Sequence, residues 1–271
     1  MIMKKLLFGA VALLSSLSLA ACGSSSSSEN SLEAIQEKGK LVVAVSPDYA
    51  PFEFKALVDG KDTVVGSDIE LAQAIADELG VELELSTMSF DNVLASLQSG
   101  KADIAISGLS YTAERAEVYD FSEAYYTTEN AFLVRKSDLD KFSTIESLAD
   151  QSVGVQKGTI EEGLAKEQLT SSNIVSLTGM SEAINELKTG KVSAVNLEGP
   201  VAEGYVAQND DLAIAKMALT TGDGDAKAVA MPKGSDELKA AIDKVIKKIL
   251  AEDKYSEYIS NAAELTGSAV E

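Results

Sequence analysis

The chain has 271 residues, of which 45% are hydrophobic and 24% are charged, a balance typical of one large folded domain or two modest lobes. Its 43 acidic residues outnumber its 23 basic residues, and the formal net charge of −20 argues against a nucleic-acid partner, which needs a basic face. The chain contains no histidine, which excludes histidine triads and histidine-ligated zinc, and its single cysteine excludes an internal disulfide. We therefore expect neither a metal site nor a bound cofactor.

The N-terminus has the pattern of a secretory signal at residues 1–21. Two lysines precede a largely apolar run at residues 6–21, which is too short and too interrupted by serines to favour a membrane span. The segment Leu19-Ala20-Ala21-Cys22 resembles the lipobox of bacterial lipoproteins, in which the cysteine becomes the lipidated first residue. A buried core cysteine is the alternative, but Cys22 directly follows the apolar run. Residues 22–31 are rich in serine and predict a flexible tether behind the lipidated cysteine.

Strand and helix patterns alternate along the first half of the chain. Residues 40–45 are apolar and rich in β-branched side chains, which predicts a buried strand. Residues 68–79 carry their apolar side chains on one helical face, and residues 81–85 alternate as a strand does. Asp91 is expected to cap a second helix, which is followed by a strand at residues 102–106. This β-α-β-α-β order is typical of a parallel sheet in an α/β fold.

The second half of the chain repeats this plan. A strand at residues 152–155 leads into a helical pattern, and Ser181 is expected to cap a further helix. The stretches 97–105 and 187–195 both consist of a helix end, a Gly-Lys turn and a buried strand. Two such units in tandem predict two lobes that face each other, although ordinary βαβ connectivity would produce the same similarity. A last helix at residues 235–250 would let the chain return to cover the first lobe.

Four loops follow predicted strands, at the edge where open α/β sheets bind ligands. They are residues 46–52, 107–115, 157–160 and 196–200. Four motifs mark this part of the chain: Tyr-Ala-Pro-Phe-Glu at 49–53, Gly-Ser-Asp-Ile-Glu-Leu at 66–71, Leu-Gln-Ser-Gly-Lys-Ala-Asp at 97–103 and Ser-Gly-Leu-Ser-Tyr-Thr-Ala-Glu-Arg at 107–115. Through these motifs the chain resembles the bacterial extracellular solute-binding proteins of family 3, the polar amino-acid receptors of ABC importers, and the resemblance runs from about residue 32 to the C-terminus.

The resemblance implies a two-lobed α/β fold of the type II periplasmic-binding-protein kind, with the ligand in the cleft between the lobes. It divides the chain into lobe 1 at residues 32–127, lobe 2 at residues 128–221 and a return to lobe 1 at residues 222–271. The crossings are expected near residues 127–128 and 220–224, where small residues can absorb backbone rotation. The implied function is capture of a free L-amino acid by lobe closure and delivery to an ABC permease, without catalysis, by a monomer held by lipid on the extracellular face of a Gram-positive type of cell membrane.

A free amino acid presents a carboxylate, an ammonium and a side chain. Arg115 offers a planar fork for the carboxylate, and it is one of only two arginines in the chain. The alternative is a surface salt bridge with Glu114 or Glu117. Ser107 and Ser110 would complete the anion site.

Other residues are assigned to the same site. Backbone N–H groups near the two serines, at Gly108, would join the anion site, although serines of this kind also form turns. Thr159 and the backbone N–H of Ile160 would donate from lobe 2, unless Thr159 is a plain helix cap.

The resemblance assigns the ligand's ammonium to Glu198, where the family mostly has aspartate, and a merely solvated acid is the alternative. Tyr49 and Phe90 would form apolar walls around the ligand's stem, with a core role as the rival for Phe90. Ser46 and Asp68 lie near the expected site and favour a polar or cationic ligand such as glutamine, lysine, arginine or histidine, although Asp68 is expected first to cap its helix.

Three other functions stay open. A dehydratase-like enzyme on the same fold would use Glu198 as an acid or base, but the sequence offers it no histidine. A receptor for a small anion other than an amino acid would fit the same cleft. An adhesin role would be compatible with binding.

Overall fold

The computed structural model describes residues 31–221 and 225–269. Within them, the α-helices are α1 (Leu32–Lys38), α2 (Ser67–Leu79), α3 (Phe90–Gln98), α4 (Ala113–Val118), α5 (Ile160–Gln168), α6 (Met180–Lys188), α7 (Gly199–Gln208), α8 (Asp236–Ala251) and α9 (Lys254–Leu265). The strands are β1 (Lys40–Val45), β2 (Asp48–Tyr49), β3 (Glu53–Val58), β4 (Lys61–Val65), β5 (Glu82–Thr87), β6 (Ile104–Ala105), β7 (Tyr119–Phe121), β8 (Tyr126–Thr128), β9 (Asn130–Arg135), β10 (Ser152–Gln156), β11 (Asn173–Leu177), β12 (Ala194–Glu198), β13 (Leu212–Ala215), β14 (Asp225–Lys227) and β15 (Ala230–Pro232). No helix in this part of the chain is both long and apolar enough to span a membrane.

Lobe 1 is built on a sheet with the strand order β5-β1-β6-β15-β7. Strand β1 pairs in parallel with β5 and β6, as the sequence predicts, and β15 adds antiparallel to β6 and β7. Helices α2, α8 and α9 cover the sheet and bury an aliphatic core with it. The apolar stripe of α8 includes Leu238, Ile242 and Ile246, which pack into this lobe 1 core.

Lobe 2 repeats this arrangement, with the strand order β11-β10-β12-β9-β13. Strand β10 pairs in parallel with β11 and β12, in the same relation that β1 has to β5 and β6. The similar stretches of sequence at 97–105 and 187–195 therefore end in corresponding strands, β6 and β12. The two-lobed α/β fold predicted from the tandem pattern is confirmed.

The lobes are joined through a two-stranded antiparallel ribbon of β8 and β14. The predicted crossing near residues 127–128 lies in β8, and part of the other, residues 222–224, lies outside the described residues. Strand β14 also contacts the loop that follows β6, because Tyr111 N–H donates to the carbonyl of Ala226 at 2.8 Å. The ribbon thus brings β14 directly to the edge of the cleft.

Three predicted helix caps are wrong by two residues. Helices α2, α3 and α6 have Gly66, Ser89 and Gly179 at the N-cap, so Asp68, Asp91 and Ser181 lie inside the first turn. Gly66 has φ +136°, and a Cβ atom there would lie 2.1 Å from the Phe52 carbonyl oxygen. The close approach of backbone to backbone, and not a capping side chain, fixes the start of α2.

Candidate functional site

The loops after β1, β6, β10 and β12 meet between the lobes and line a cleft. Its lining residues are Tyr49, Phe90, Gly108, Ser110, Arg115, Gln156, Thr159, Ile160, Glu161 and Glu198. Eight of these residues are predicted from the sequence, and Gln156 and Glu161 are not. A wider cavity of about 820 Å³ adjoins the cleft and shares Arg115, Thr159 and Ile160 with it.

Arg115 lies between the two lobes, at the start of the short helix α4. Its Nη1 donates to the Ser110 carbonyl at 2.6 Å in lobe 1, and its Nη2 donates to the Gly158 carbonyl at 2.9 Å in lobe 2. Burial lowers the pKa of the guanidinium. Among the described residues it has no ion-pair partner within 4.0 Å, so the expected alternative of a salt bridge with Glu114 or Glu117 is not formed.

The second arginine serves the structure of lobe 2. Arg135 donates from Nε to the Asp138 carboxylate at 2.7 Å and from Nη1 to two backbone carbonyls. Its guanidinium is therefore committed to lobe 2. Arg115 remains the arginine whose charge faces the cleft.

An acidic cluster of Glu161, Glu198 and Asp225 lies opposite Arg115. One carboxylate oxygen of each lies within 4.8 Å of the others, and the three residues are 2%, 3% and 0% exposed. They come from the first turn of α5, the end of β12 and the ribbon strand β14. Burying three carboxyl groups this close together is costly unless cations or protons compensate them.

Lys227 supplies one buried cation to this cluster. Its ammonium is fully buried and donates to Ser110 Oγ at 2.7 Å, to Asp225 Oδ1 at 2.8 Å and to Glu198 Oε1. These three hydrogen bonds use all three N–H groups of the ammonium. Burial lowers the pKa of Lys227, but the charges of Glu198 and Asp225 outweigh that effect and raise it above its ordinary value.

The acidic cluster retains unpaired acceptors. Glu161 Oε1, Glu198 Oε2 and Asp225 Oδ2 are buried and have no hydrogen-bond partner among the described residues. Burial raises the pKa of Glu161 to about 7 and also raises the pKa of Glu198, and Lys227 opposes both shifts. Glu198 therefore lies in the cleft as predicted, but one of its oxygens is already bound by the protein's own ammonium.

Three charged residues of this cluster escape sequence reasoning. Glu161 stands in the first turn of α5, where an acid is usually explained by the helix dipole alone. Asp225 and Lys227 belong to no motif, and they reach the cleft because β14 pairs with β8. Their i, i+2 spacing does place both side chains on one face of a strand, which is the signal that could have paired them.

Three predicted ligand contacts lie behind the cleft and do not line it. Asp68 accepts hydrogen bonds from Gly108 N–H at 2.7 Å and from the hydroxyls of Tyr125 and Tyr255 at 2.9 and 2.7 Å. Ser107 Oγ donates to Glu53 at 2.8 Å and accepts from Ser46 N–H at 2.9 Å. Through these hydrogen bonds, Asp68, Ser107 and Ser46 anchor the loop after β6 to the rest of lobe 1.

The predicted apolar walls and the lobe 2 donors lie in the cleft. Tyr49 is buried and its ring packs over Gly108, where φ is +53° and a Cβ atom would lie 3.2 Å from the ring. Phe90 lines the cleft and also packs against the lobe 1 core, so both of its expected roles are compatible. Thr159 caps α5, because its hydroxyl accepts from Glu162 N–H at 3.2 Å.

Direct contacts also connect the lobes beside the cleft. The Asp48 carboxylate of lobe 1 accepts from Met180 N–H, at the N-terminus of α6 in lobe 2, at 2.7 Å. Asp91 forms an ion pair with Lys157 across the cleft at 2.7 Å. The charge of Asp48 is engaged by α6, and burial raises its pKa while the Met180 hydrogen bond lowers it.

Two α/β lobes that hold a guanidinium opposite buried carboxylates across a cleft define a receptor for a small zwitterionic ligand. The chain belongs to the bacterial extracellular solute-binding proteins, family 3, whose family model matches residues 41–261. The resemblance stated from its motifs is confirmed. The family belongs to ABC importers and implies a location outside the cytoplasm.

Individual relatives agree with this assignment. The chain is 37% identical over 252 residues to the arginine-binding extracellular protein ArtP of Bacillus subtilis (strain 168), covering 91% of this chain and 93% of that protein. It is 31% identical over 238 residues to the L-cystine-binding protein TcyJ of Escherichia coli (strain K12), covering 88% and 86%. An amino acid ABC transporter substrate-binding protein from Streptococcus pneumoniae, solved with L-arginine, is 55% identical with a TM-score of 0.86, covering 88% and 99%. These relatives are transport binding proteins and not enzymes, as expected for this chain.

Proposed function

We propose that this protein is the receptor of an ABC importer for a cationic amino acid, with L-arginine as its preferred ligand. The observation that carries this proposal is the charge balance of the cleft, where three buried carboxyl groups face the ammonium of Lys227 and the guanidinium of Arg115. The carboxylate and ammonium of a bound amino acid cancel each other, so ionised carboxyl groups leave one negative charge for a cationic side chain. The arginine-binding relatives support the same ligand.

Different residues of the cleft bind different parts of such a ligand. Arg115 binds the carboxylate, assisted by the backbone N–H group of Ile160, whereas the predicted donor at Gly108 is already bound to Asp68. The unpaired oxygens of the acidic cluster accept from the ligand's positively charged groups. Tyr49 and Phe90 enclose its aliphatic stem. Each lobe contributes to this set, so binding favours the closed arrangement of the two lobes, which the permease recognises.

We place the protein on the extracellular face of the membrane, anchored by lipid on Cys22 after removal of residues 1–21. The lipobox resemblance and the serine-rich tether support this anchor, and both lie outside the described residues except for Ser31. We infer that the chain divides into lobe 1 (32–127), lobe 2 (128–221) and the return to lobe 1 with the C-terminal helices (222–271), and the two sheets and the β8–β14 ribbon support this division.

Calorimetric titration tests the ligand class. The protein beginning at Ser31, unfolded and refolded to remove carried-over ligand, is titrated with arginine, lysine, glutamine and citrulline, the neutral isostere of arginine. We expect arginine to bind tightest and citrulline at least about tenfold more weakly, which corresponds to about 1.4 kcal/mol. Heat from none of the amino acids would contradict the proposal and favour a small anion or an enzyme.

Removing the Asp48 carboxylate is expected to weaken arginine binding without destabilising the fold of lobe 1. The contact with the N-terminus of α6 joins the two lobes, so it stabilises closure, and a lost cap of this kind costs about 1 kcal/mol. We therefore expect Asp48→Ala to raise the Kd for arginine roughly fivefold. Asp62→Ala, an exposed acid on β4, is the matched control and should leave the Kd unchanged. Equal affinities in the two variants would contradict this role.

A further inference from the structure

We propose that Glu161 selects the charge of the ligand: it holds a proton within the acidic cluster, and a cationic amino acid binds in exchange for that proton. This inference rests on the proposed function and adds to it a specificity-determining residue and a proton stoichiometry. It predicts that the receptor distinguishes arginine from a neutral isostere partly through proton release.

The geometry gives Glu161 no cation of its own. Lys227 donates its three N–H groups to Ser110, Asp225 and Glu198. The Arg115 guanidinium directs its two hydrogen bonds within the described structure to backbone carbonyls. Glu161 is 2% exposed, and its Oε1 has no hydrogen-bond partner among the described residues.

The groups that face Glu161 come from every side of the cleft. Asp225 and Lys227 approach from β14, Glu198 from the end of β12, Arg115 from α4 and the Tyr49 hydroxyl from β2. The next residue of α5, Glu162, instead accepts hydrogen bonds from Lys166 and Ser176. Two acids, Asp225 and Glu198, face Glu161, and they share the single ammonium of Lys227.

A proton compensates this excess of carboxyl groups where no further cation is present. Carboxylate oxygens accept hydrogen bonds and cannot donate to one another, so close carboxyl groups need a proton or a cation between them. Glu198 and Asp225 each accept a hydrogen bond from the Lys227 ammonium, whereas Glu161 does not. Burial raises the pKa of Glu161 to about 7, and Asp225 raises it while Lys227 lowers it. Glu161 is therefore the member that holds the exchangeable proton.

A cationic ligand and this proton compete for the same site. Below pH 7 the protonated cluster must release its proton to accept arginine, so the affinity for arginine should fall about tenfold for each pH unit below 7 and level off above about pH 8. A ligand without net charge leaves the charge balance unchanged. Its affinity should therefore stay nearly constant over the same pH range.

The test is titration of the protein with L-arginine and L-citrulline at pH 6.5 in phosphate and in imidazole buffer, which differ in ionisation enthalpy. We expect arginine to release between about one half and one proton, and citrulline to release almost none. Glu161→Gln should abolish the proton release, flatten the pH profile and lower the preference for arginine over citrulline about tenfold. Glu167→Gln removes the same charge from an exposed position on α5 and should retain all three properties.

The outcomes separate this inference from the proposed function. Tight arginine binding with a buffer-independent heat in the unsubstituted protein overturns the proton exchange and leaves the proposed function standing. No binding of arginine overturns both. The measurement on the unsubstituted protein decides the stoichiometry even if Glu161→Gln does not fold, and proton release that persists in a folded Glu161→Gln variant overturns the assignment to Glu161.

Discussion

Replacement of Arg115 with alanine is expected to abolish measurable arginine binding while leaving the protein folded. Its guanidinium is the cation in the cleft without an ion-pair partner within 4.0 Å among residues 31–221 and 225–269, and its two side-chain hydrogen bonds within these ranges go to backbone carbonyls. Removing one partner of a buried charge pair in a complex costs about 2–5 kcal/mol, or roughly 30- to 5000-fold in Kd. Calorimetry measures the binding, and circular dichroism with thermal unfolding checks the fold.

Two matched variants refine this prediction. Arg115→Lys keeps the charge but loses the planar fork, so we expect an affinity between those of the unsubstituted protein and the alanine variant. Arg135→Ala should instead lower stability and leave the arginine Kd unchanged, because Arg135 bonds only within lobe 2 in the described structure. An unaltered Kd in Arg115→Ala would refute its assignment to the ligand carboxylate.

Replacement of Lys227 with methionine is expected to destabilise the protein strongly at neutral pH. The ammonium is fully buried and binds two members of the acidic cluster, so its loss leaves buried carboxylates without their counter-charge. Breaking a buried ion pair by removing one partner costs about 3–5 kcal/mol. Urea unfolding at pH 7.5 measures the decrease in the free energy of unfolding. Lys233 is an exposed lysine paired with Asp120, and the control substitution Lys233→Met should cost less than about 1 kcal/mol.

The pH dependence of the Lys227→Met variant has a definite sign. Burial already raises the pKa of Glu161 and Glu198 in the folded protein, and loss of Lys227 removes the charge that opposes this rise. A folded carboxyl group with a raised pKa binds more protons than its unfolded counterpart, so stability should increase as the pH falls from about 7 towards 4.5. A variant that is equally stable at pH 7.5 and pH 5, or that loses less than about 1 kcal/mol, would show that the ammonium does not compensate the cluster.

Several features of the fold are determined locally and could be predicted from the sequence. The β-branched run of β1 and the apolar stripe of α8 specify their elements, since the side-chain period alone decides which face is buried. Thr159 caps α5 through a hydrogen bond to Glu162, only three residues away. Arg115 could also be singled out, because a planar cation in a loop after a strand is suited to a carboxylate and the chain has only one other arginine.

Other assignments depended on partners that lie far away in the chain. Asp68 was expected at a helix cap and near the ligand, but the hydroxyls of Tyr125 and Tyr255 and the N–H of Gly108 occupy its carboxylate. Ser107 turns towards Glu53 for the same reason. A polar residue beside a site is drawn to whichever partner satisfies it when buried, and sequence spacing does not reveal that partner.

The two α/β lobes, the placement of their loops at one cleft and the arginine that faces it follow from short-range patterns of burial and turn chemistry, so they can be predicted without the structure. The charge of the cleft depends instead on contacts between distant segments. Lys227 and Asp225 reach Glu161 and Glu198 through the pairing of β14 with β8, which joins segments nearly one hundred residues apart. Electrostatic energy depends on distance in space and on burial, and both are set only when the ribbon and the lobes come together.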